Sequence, residues 1–219
     1  RSQFLKAPSG SWQAPESALS LRRPLAIIPT TLRFRYVNHW HLTSLRMPPD
    51  TPPHASAPTP PWKVGLGHDT HRLVPGGPLI LGGIPIEHTH HSDGHSDADV
   101  LLHAITDALL GAAGLGDIGQ WFPDTDEANR DRDSAEMLQL AYQQVRQTGY
   151  GIVNLDCIVF AQAPPIGPHR KAISQHVGKL LGVAAEMICV KAKTGEGVGP
   201  VGRGEVIAAQ CVTLLQQQE

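Results

Sequence analysis

The stretch from His95 to Gly119, H-S-D-A-D-V-L-L-H-A-I-T-D-A-L-L-G-A-A-G-L-G-D-I-G, limits what this chain can fold into more than any other. Val100, Ala104, Ile105, Ala108, Leu109 and Ala112 recur at the spacing of a helix with one buried stripe. Asp99, His103 and Asp107 lie beside that stripe, each four residues from the last, so they stack along one helix edge. Ser96 followed by Asp99 reads as a capping box, which places His95 just outside the helix. The unpaired N–H groups at such a terminus are a natural seat for phosphate.

Upstream, Trp62 to His71 (W-K-V-G-L-G-H-D-T-H) alternates Trp62, Val64 and Leu66 with Lys63, Gly65 and Gly67. That alternation predicts a strand with one apolar face. Residues two apart on a strand point the same way, so Asp69 and His71 project together as two potential metal ligands. Pro75 to Glu87 reads as a turn and two short strands around Gly82-Gly83. The following histidines, His88, His90 and His91, read as a solvated loop, whereas His95 abuts the helix cap. After the central helix comes a glycine-rich loop, G-L-G-D-I-G, and then an acceptor-rich turn at Trp121 to Asp126.

A second helix is predicted from Asp133 or Ser134 to Thr148-Gly149, with Met137, Leu140, Ala141 and Val145 inside. Ile152 to Gln162 predicts a strand, Ala163 to Pro168 a sharp turn, and Pro168 to Leu181 a third helix stopped by Gly182. Met187 to Lys193 and Glu205 to Leu215 read as strands flanking a glycine-rich loop, Thr194 to Gly204. Strands at both ends with helices between them predict an α+β domain, a mixed or antiparallel sheet with helices packed on one face.

That domain is expected over residues 62–219. Residues 1–61 show little apolar periodicity and end in a proline tract from Pro48 to Pro61, read as linker or disorder. Arg1, Lys6, Arg22, Arg23, Arg33, Arg35 and Arg46 face a single acid, Glu16, before Met47. Two readings fit this segment: an organellar transit peptide, implying a plastid, or an overextended start that leaves a cytoplasmic protein. The remainder is acidic, which argues against a basic nucleic-acid-binding face. No apolar run reaches the roughly 18 to 20 residues of a membrane span. Cys157, Cys189 and Cys211 are widely spaced in apolar runs and read as buried thiols of a reducing compartment.

His103 offers Asp69 and His71 a third partner. Two imidazoles and a carboxylate suit zinc or a similar divalent cation, and three protein ligands leave a position open for water or substrate. Asp107, one turn on, either orients an imidazole or simply meets water. Glu196, among glycines, is a ligand candidate for a second, harder cation such as Mg²⁺ or Mn²⁺ that also touches phosphate. Lys193 and Arg203 add positive charge nearby. No G-x-x-x-x-G-K-[ST] motif occurs, so the phosphate chemistry is not that of a P-loop.

G-H-D-T-H (67–71), the long motif at 95–119, F-P-D-T-D (122–126), A-Q-A-P (161–164) and V-G-R-G-E (201–205) together closely resemble the 2-C-methyl-D-erythritol 2,4-cyclodiphosphate synthases of non-mevalonate isoprenoid biosynthesis. The resemblance implies a homotrimer with active sites at subunit interfaces. It implies a lyase that cyclises 4-diphosphocytidyl-2-C-methyl-D-erythritol 2-phosphate, whose own 2-phosphate attacks the β-phosphorus and expels CMP. Asp69, His71 and His103 match the zinc ligands, His95 and Thr194 the groups that stabilise the transition state, and Ser96 a contact to the methylerythritol phosphate. Asp117, Ile118, Gly119, Phe122, Pro123, Asp124, Thr125 and Asp126 match sugar-phosphate contacts. Ala161, Gln162, Ala163, Pro164, Pro165, Ile166 and Gly167 match a loop that reads cytosine, and Glu196 the magnesium ligand on the diphosphate.

Lys193 and Gly195 stand where the family usually carries Thr or another polar residue near the diphosphate, and Pro165 often corresponds to Lys. Pro200 replaces the usual Phe beside an isoprenoid-diphosphate site that some members form with the arginine at position 203. Two other functions compete on the residues alone. One is a zinc phosphoesterase that delivers water to phosphorus. The other is a non-catalytic metal-storage module built on His88, His90, His91 and His95.

Overall fold

The computed structural model describes residues 60–94, 96–123, 125–129 and 132–219, which fall within the compact unit Ser56–Glu219. The extension through residue 59, with Met47 and most of the proline tract, lies outside the described residues, as do His95 and Asp124. In chain order the elements begin β1 (Trp62–Pro75), β2 (Leu79–Leu81), β3 (Ile84–Ile86), β4 (His90–Asp93), α1 (Val100–Ala113) and α2 (Ile118–Trp121). They continue α3 (Ser134–Gln147), β5 (Tyr150–Phe160), α4 (Arg170–Leu181), β6 (Ile188–Lys193), α5 (Gly199–Gly202) and β7 (Val206–Gln217).

Five strands form one sheet in the order β4-β1-β7-β5-β6, antiparallel except for the parallel pair β5 and β6. The three long helices pack on one face, so the expected α+β layering is present. Helix α1 lies across β1 and β7, α4 lies against β6, and α3 fills the space between α1 and α4. The β2–β3 hairpin turns at Gly82 and Gly83, both at positive φ, where a two-residue turn matches strand twist.

Helix α1 is more buried than a single stripe predicts. Leu101, Leu102, Thr106 and Leu110 are buried along with Val100, Ile105 and Leu109, because sheet, α3 and hairpin enclose it from several sides. Its start is also displaced. Ala98 takes a positive φ of 53°, so the helix cannot run through it from Ser96. Asp99 caps it instead, accepting from the N–H groups of Leu101 and Leu102. Those two N–H groups are therefore taken by the cap. Burial pushes the Asp99 carboxyl up, while N–H donors from Gly83, Leu102 and Gly82 pull it back.

The apolar face of β1 is the outer one. Val64 is 70% and Leu66 67% exposed, whereas Gly65 and Gly67 lie under α1. A Cβ on Gly67 would come within 1.9 Å of the Ala104 carbonyl oxygen, and one on Gly65 within 2.0 Å of that of Ala108. Strand and helix backbones touch there because no side chain separates them.

Smaller corrections follow from pairing and packing. The histidine loop contains a strand, since His90 to Asp93 pairs with Arg72 to Pro75. Leu138 and Tyr142 are buried on α3, but Leu140 is only half-buried. Single helical turns, α2 and α5, interrupt the two glycine-rich loops. Cys157 and Cys211 are buried cross-strand neighbours, but Cys189 is exposed on the outer face. Among the described residues no helix is long and apolar enough to cross a membrane.

Candidate metal centre and the surfaces around it

The middle of β1, which runs past the strand end expected at His71, and the first turn of α1 bring three side chains together. Asp69 Oδ2 lies 2.9 Å from His71 Nε2 and 3.0 Å from His103 Nδ1, and the two ring nitrogens are 3.1 Å apart. Ligand atoms about 2.0–2.1 Å from a tetrahedral zinc stand roughly 3.3–3.4 Å from one another. The observed spacings are slightly shorter, so one divalent cation fits the set with small outward shifts. Among the described residues, these three form the group of His, Cys, Asp and Glu with ligand atoms close enough to share an ion. His88, His90 and His91 belong to no such group among the described residues, and His95, the fourth histidine of the storage reading, lies outside them.

His71 Nδ1 lies 3.2 Å from the Asp93 carbonyl oxygen. A carbonyl only accepts, so Nδ1 carries a proton and Nε2 is the nitrogen that faces the triad, donating to Asp69 when no metal is bound and offering its lone pair when one is. Burial alone would raise the Asp69 carboxyl, but hydrogen bonds and charge from His103 and His71 hold it well below the usual carboxylate range. For His71, burial works against protonation, and the Asp69 carboxylate with the Asp93 carbonyl outweighs it, leaving the imidazole above its ordinary value.

The triad opens into a cavity of about 530 Å³ lined by Asp69, His71, Asp93, Gly94, Ser96, His103, Ile118, Gly119, Phe122, Asn129 and Met137. Its described lining includes two carboxylates and neither Lys nor Arg, so an anionic ligand entering it needs a cation at the triad. Phe122 and Met137 make an apolar wall, and Arg132 lies over the outer face of the Phe122 ring, 5.2 Å from its centre. Asp107 neither orients an imidazole nor simply meets water. Its Oδ1 accepts from Ile118 N–H at 2.8 Å and seats α2 beside the cavity. Burial raises the Asp107 carboxyl, and that N–H moderates the rise.

Of the expected substrate contacts, Ser96, Ile118, Gly119 and Phe122 join the triad in this cavity. Asp117 caps α2, accepting from Gln120 N–H at 2.9 Å, and Pro123 accepts from Asn129 at 3.1 Å. Thr125 and Asp126 are exposed in the turn that follows. The remaining candidates lie elsewhere. Thr70, Ala208, Phe160 and Lys193 form one row across four strands, so the loops after β5 and β6 leave the same sheet end as Asp69 and His71. Three strand spacings of about 4.8 Å separate the two extremes of that row by roughly 14 Å.

In this second group, Ala161 N–H donates to the Lys193 carbonyl, and Gly197 N–H donates to Gln162 Oε1 at 3.4 Å. Ala161, Pro164 and Ile166 are buried; Gln162, Ala163, Pro165 and Gly167 face solvent. Thr194 Oγ1 donates to Glu196 Oε1 at 2.7 Å, and Glu196 takes a positive φ of 50°. Gly195 lies against the backbone of Gly202. Pro200 is exposed at the start of α5, and Arg203 is paired with Glu205 at 2.7 and 3.0 Å.

Two participants were not singled out in the sequence. Ser134 Oγ lies 2.8 Å from His103 Nε2 and makes a short hydrogen bond to Asp97 Oδ1. Ser134 precedes an apolar helix face and Asp97 sits in a polar loop, so neither carries a pattern that points to a metal.

Comparison with known proteins agrees with this geometry. The YgbB family model matches residues 62–216. A Bordetella avium protein named 2-C-methyl-D-erythritol 2,4-cyclodiphosphate synthase is 55% identical over 160 residues, spanning 73% of this chain and 99% of its own. A solved structure of a 2C-methyl-D-erythritol-2,4-cyclodiphosphate synthase aligns with a TM-score of 0.66 at 40% identity, over 70% of this chain and 100% of that one. IspF from Plasmodium falciparum, solved as a CDP complex, aligns with a TM-score of 0.64 at 33% identity, over 72% of this chain and 97% of its own. With the family model matching residues 62–216 and a relative 55% identical over 99% of its own length, the chain belongs to the YgbB family of 2-C-methyl-D-erythritol 2,4-cyclodiphosphate synthases.

Proposed function

We propose that this enzyme cyclises 4-diphosphocytidyl-2-C-methyl-D-erythritol 2-phosphate to 2-C-methyl-D-erythritol 2,4-cyclodiphosphate, releasing CMP as a phosphorus–oxygen lyase. The observation that carries the reading is the Asp69, His71 and His103 triad opening into a cavity that has no cationic side chain among its described lining. Zinc bound there would supply positive charge to a phosphoryl oxygen as negative charge builds on it. The chain's own part is positional. Ser96 and the backbone at Gly119 hold the methylerythritol phosphate, and Phe122 and Met137 exclude water from its carbon side. Nucleophile and electrophile belong to one substrate, so folding it into reach replaces a bimolecular encounter.

The cytidine end falls to the second group: residues 161–167 as the base-reading loop, Lys193, Thr194 and Gly195 beside the diphosphate, and Glu196 as ligand for Mg²⁺ or Mn²⁺. His95 and Thr194 stabilise the transition state. A cytidine diphosphate moiety is the ligand class in the related CDP complex. Within one chain residues 161–167 and 193–196 do not line the triad cavity, which supports a site completed by a second copy in a homotrimer. The exposed outer face of Trp62, Val64, Leu66 and Val212 supplies the apolar surface such an assembly buries. Leu66→Asp is expected to convert the trimer to monomer in sedimentation and to lower CMP release more than tenfold; a fully active monomer would remove the shared-site reading.

Residues 62–219 carry the activity, a reading supported by the relative that aligns over 99% of its own length with only 73% of this chain. We place the enzyme in the cytoplasm, or in a plastid if those residues are a transit peptide. The decisive assay incubates enzyme and cytidylylated substrate in ¹⁸O-water with and without chelator. Cyclisation predicts CMP release that stops with chelator and no solvent oxygen in either product. A phosphoesterase would put ¹⁸O on phosphorus.

A further inference from the structure

We propose that Ser134 and Asp97 are positioning residues that fix which nitrogen of His103 faces the metal. The inference rests on the reading that the triad holds a cation. It follows from counting protons along a chain that joins three segments of the fold. Asp97 Oδ1 is within a short hydrogen bond of Ser134 Oγ, and Ser134 Oγ is 2.8 Å from His103 Nε2. A carboxylate only accepts, so Ser134 spends its single proton on Asp97. Its oxygen is left to accept, and the donor facing it is His103 Nε2–H. Ser96 Oγ, 3.2 Å from the same nitrogen, accepts from Ala98 N–H at 3.0 Å and lies 3.4 Å from Ser134 Oγ, to which its own proton is donated, so it too meets Nε2 as an oxygen.

With the proton on Nε2, His103 presents its Nδ1 lone pair to the triad, 3.0 Å from Asp69 Oδ2. His71 reaches the complementary state through Asp93, with Nδ1 protonated and Nε2 free. The two imidazoles thus offer opposite ring nitrogens to one point, each held by its own outer partner. Hydrogen bonding of this kind sets the ring's orientation and increases the basicity of the ligating nitrogen. Ser134 is fully buried at the start of α3, and Asp133 rather than Ser134 caps that helix. The Ser134 hydroxyl is therefore not needed to begin the helix and remains available to the imidazole. Asp97 is exposed, so replacing it tests the chain with little disturbance of the core.

The test uses the full chain loaded with zinc. Competition against a chelator of known affinity gives the zinc Kd, and melting with and without zinc gives the metal-induced gain in Tm. Tight binding of one zinc per chain is expected for the unmodified protein; its absence would overturn the metal reading itself. Ser134→Ala is expected to weaken zinc binding roughly 10- to 100-fold and to shrink the metal-induced gain in Tm. A merely structural role would lower both melting temperatures equally and leave the Kd unchanged, and a Kd within twofold of the unmodified chain overturns the proposal. Should Ser134→Ala not fold, Asp97→Ala carries the same comparison, with weaker zinc binding expected and an unchanged Kd decisive against it.

Discussion

The His103→Ala enzyme is expected to lose its tightly held zinc and to release CMP roughly 10³-fold more slowly than the unmodified chain. The imidazole supplies one of three protein ligands, and the two that remain, Asp69 and His71, come from a single strand and cannot enclose an ion. Alanine is a good helix former, so α1 persists. The lost hydrogen bond to Ser134 costs about 1 kcal/mol of stability. Metal content by elemental analysis, CMP release and far-ultraviolet circular dichroism separate these effects. Turnover within tenfold of normal, with circular dichroism unchanged, would remove the triad from the chemistry.

Gly67→Ala should be the most damaging single methyl in the fold. Its Cβ would meet the Ala104 carbonyl oxygen at 1.9 Å and the Ala108 nitrogen at 2.6 Å, both backbone atoms of α1. A side chain can rotate away from a clash, but a helix backbone moves only by lifting off the strand. Lifting α1 at Ala104 also carries its neighbour His103 away from Asp69 and His71, so stability and metal affinity should fall together. We expect a loss of about 3 kcal/mol or more, or roughly 6–12 °C in Tm for a domain of this size. Gly111→Ala is the control, because nothing lies within 4 Å of its Cβ position and its φ is ordinary for a helix. It should stabilise α1 by about 0.5–1 kcal/mol. A Gly67→Ala protein that melts like the unmodified chain would mean that α1 and β1 are not in direct contact.

The triad was legible because its residues lie on elements with simple periods. Asp69 and His71 are two apart on a strand, and His103 sits at a fixed place on a strongly patterned helix. What β1 faces was not legible. Alternation separates Trp62, Val64 and Leu66 from Gly65 and Gly67, but it does not say which set is covered, and here the glycines are. The helix start was misplaced because Ser96 and Asp99 both suit a cap, and only the positive φ of Ala98 decides between them. Ser134 was hidden for another reason. It is 31 residues from His103 in sequence, and a serine opening a helix has ordinary local explanations.

Helix α1 ties each neighbouring segment to itself rather than to the next segment along the chain. Asp99 receives Gly83 of the hairpin at 2.6 Å, His103 meets β1 and α3, and Asp107 receives Ile118 of α2 at 2.8 Å. The helix therefore acts as a ruler against which separately encoded parts are set. Extra residues in the connectors would be absorbed at the surface, whereas one residue inserted within α1 would swing every later mark by about 100°. Tolerance to length change should thus be sharply uneven along this chain, generous between the elements and nearly nil within the fourteen residues of α1.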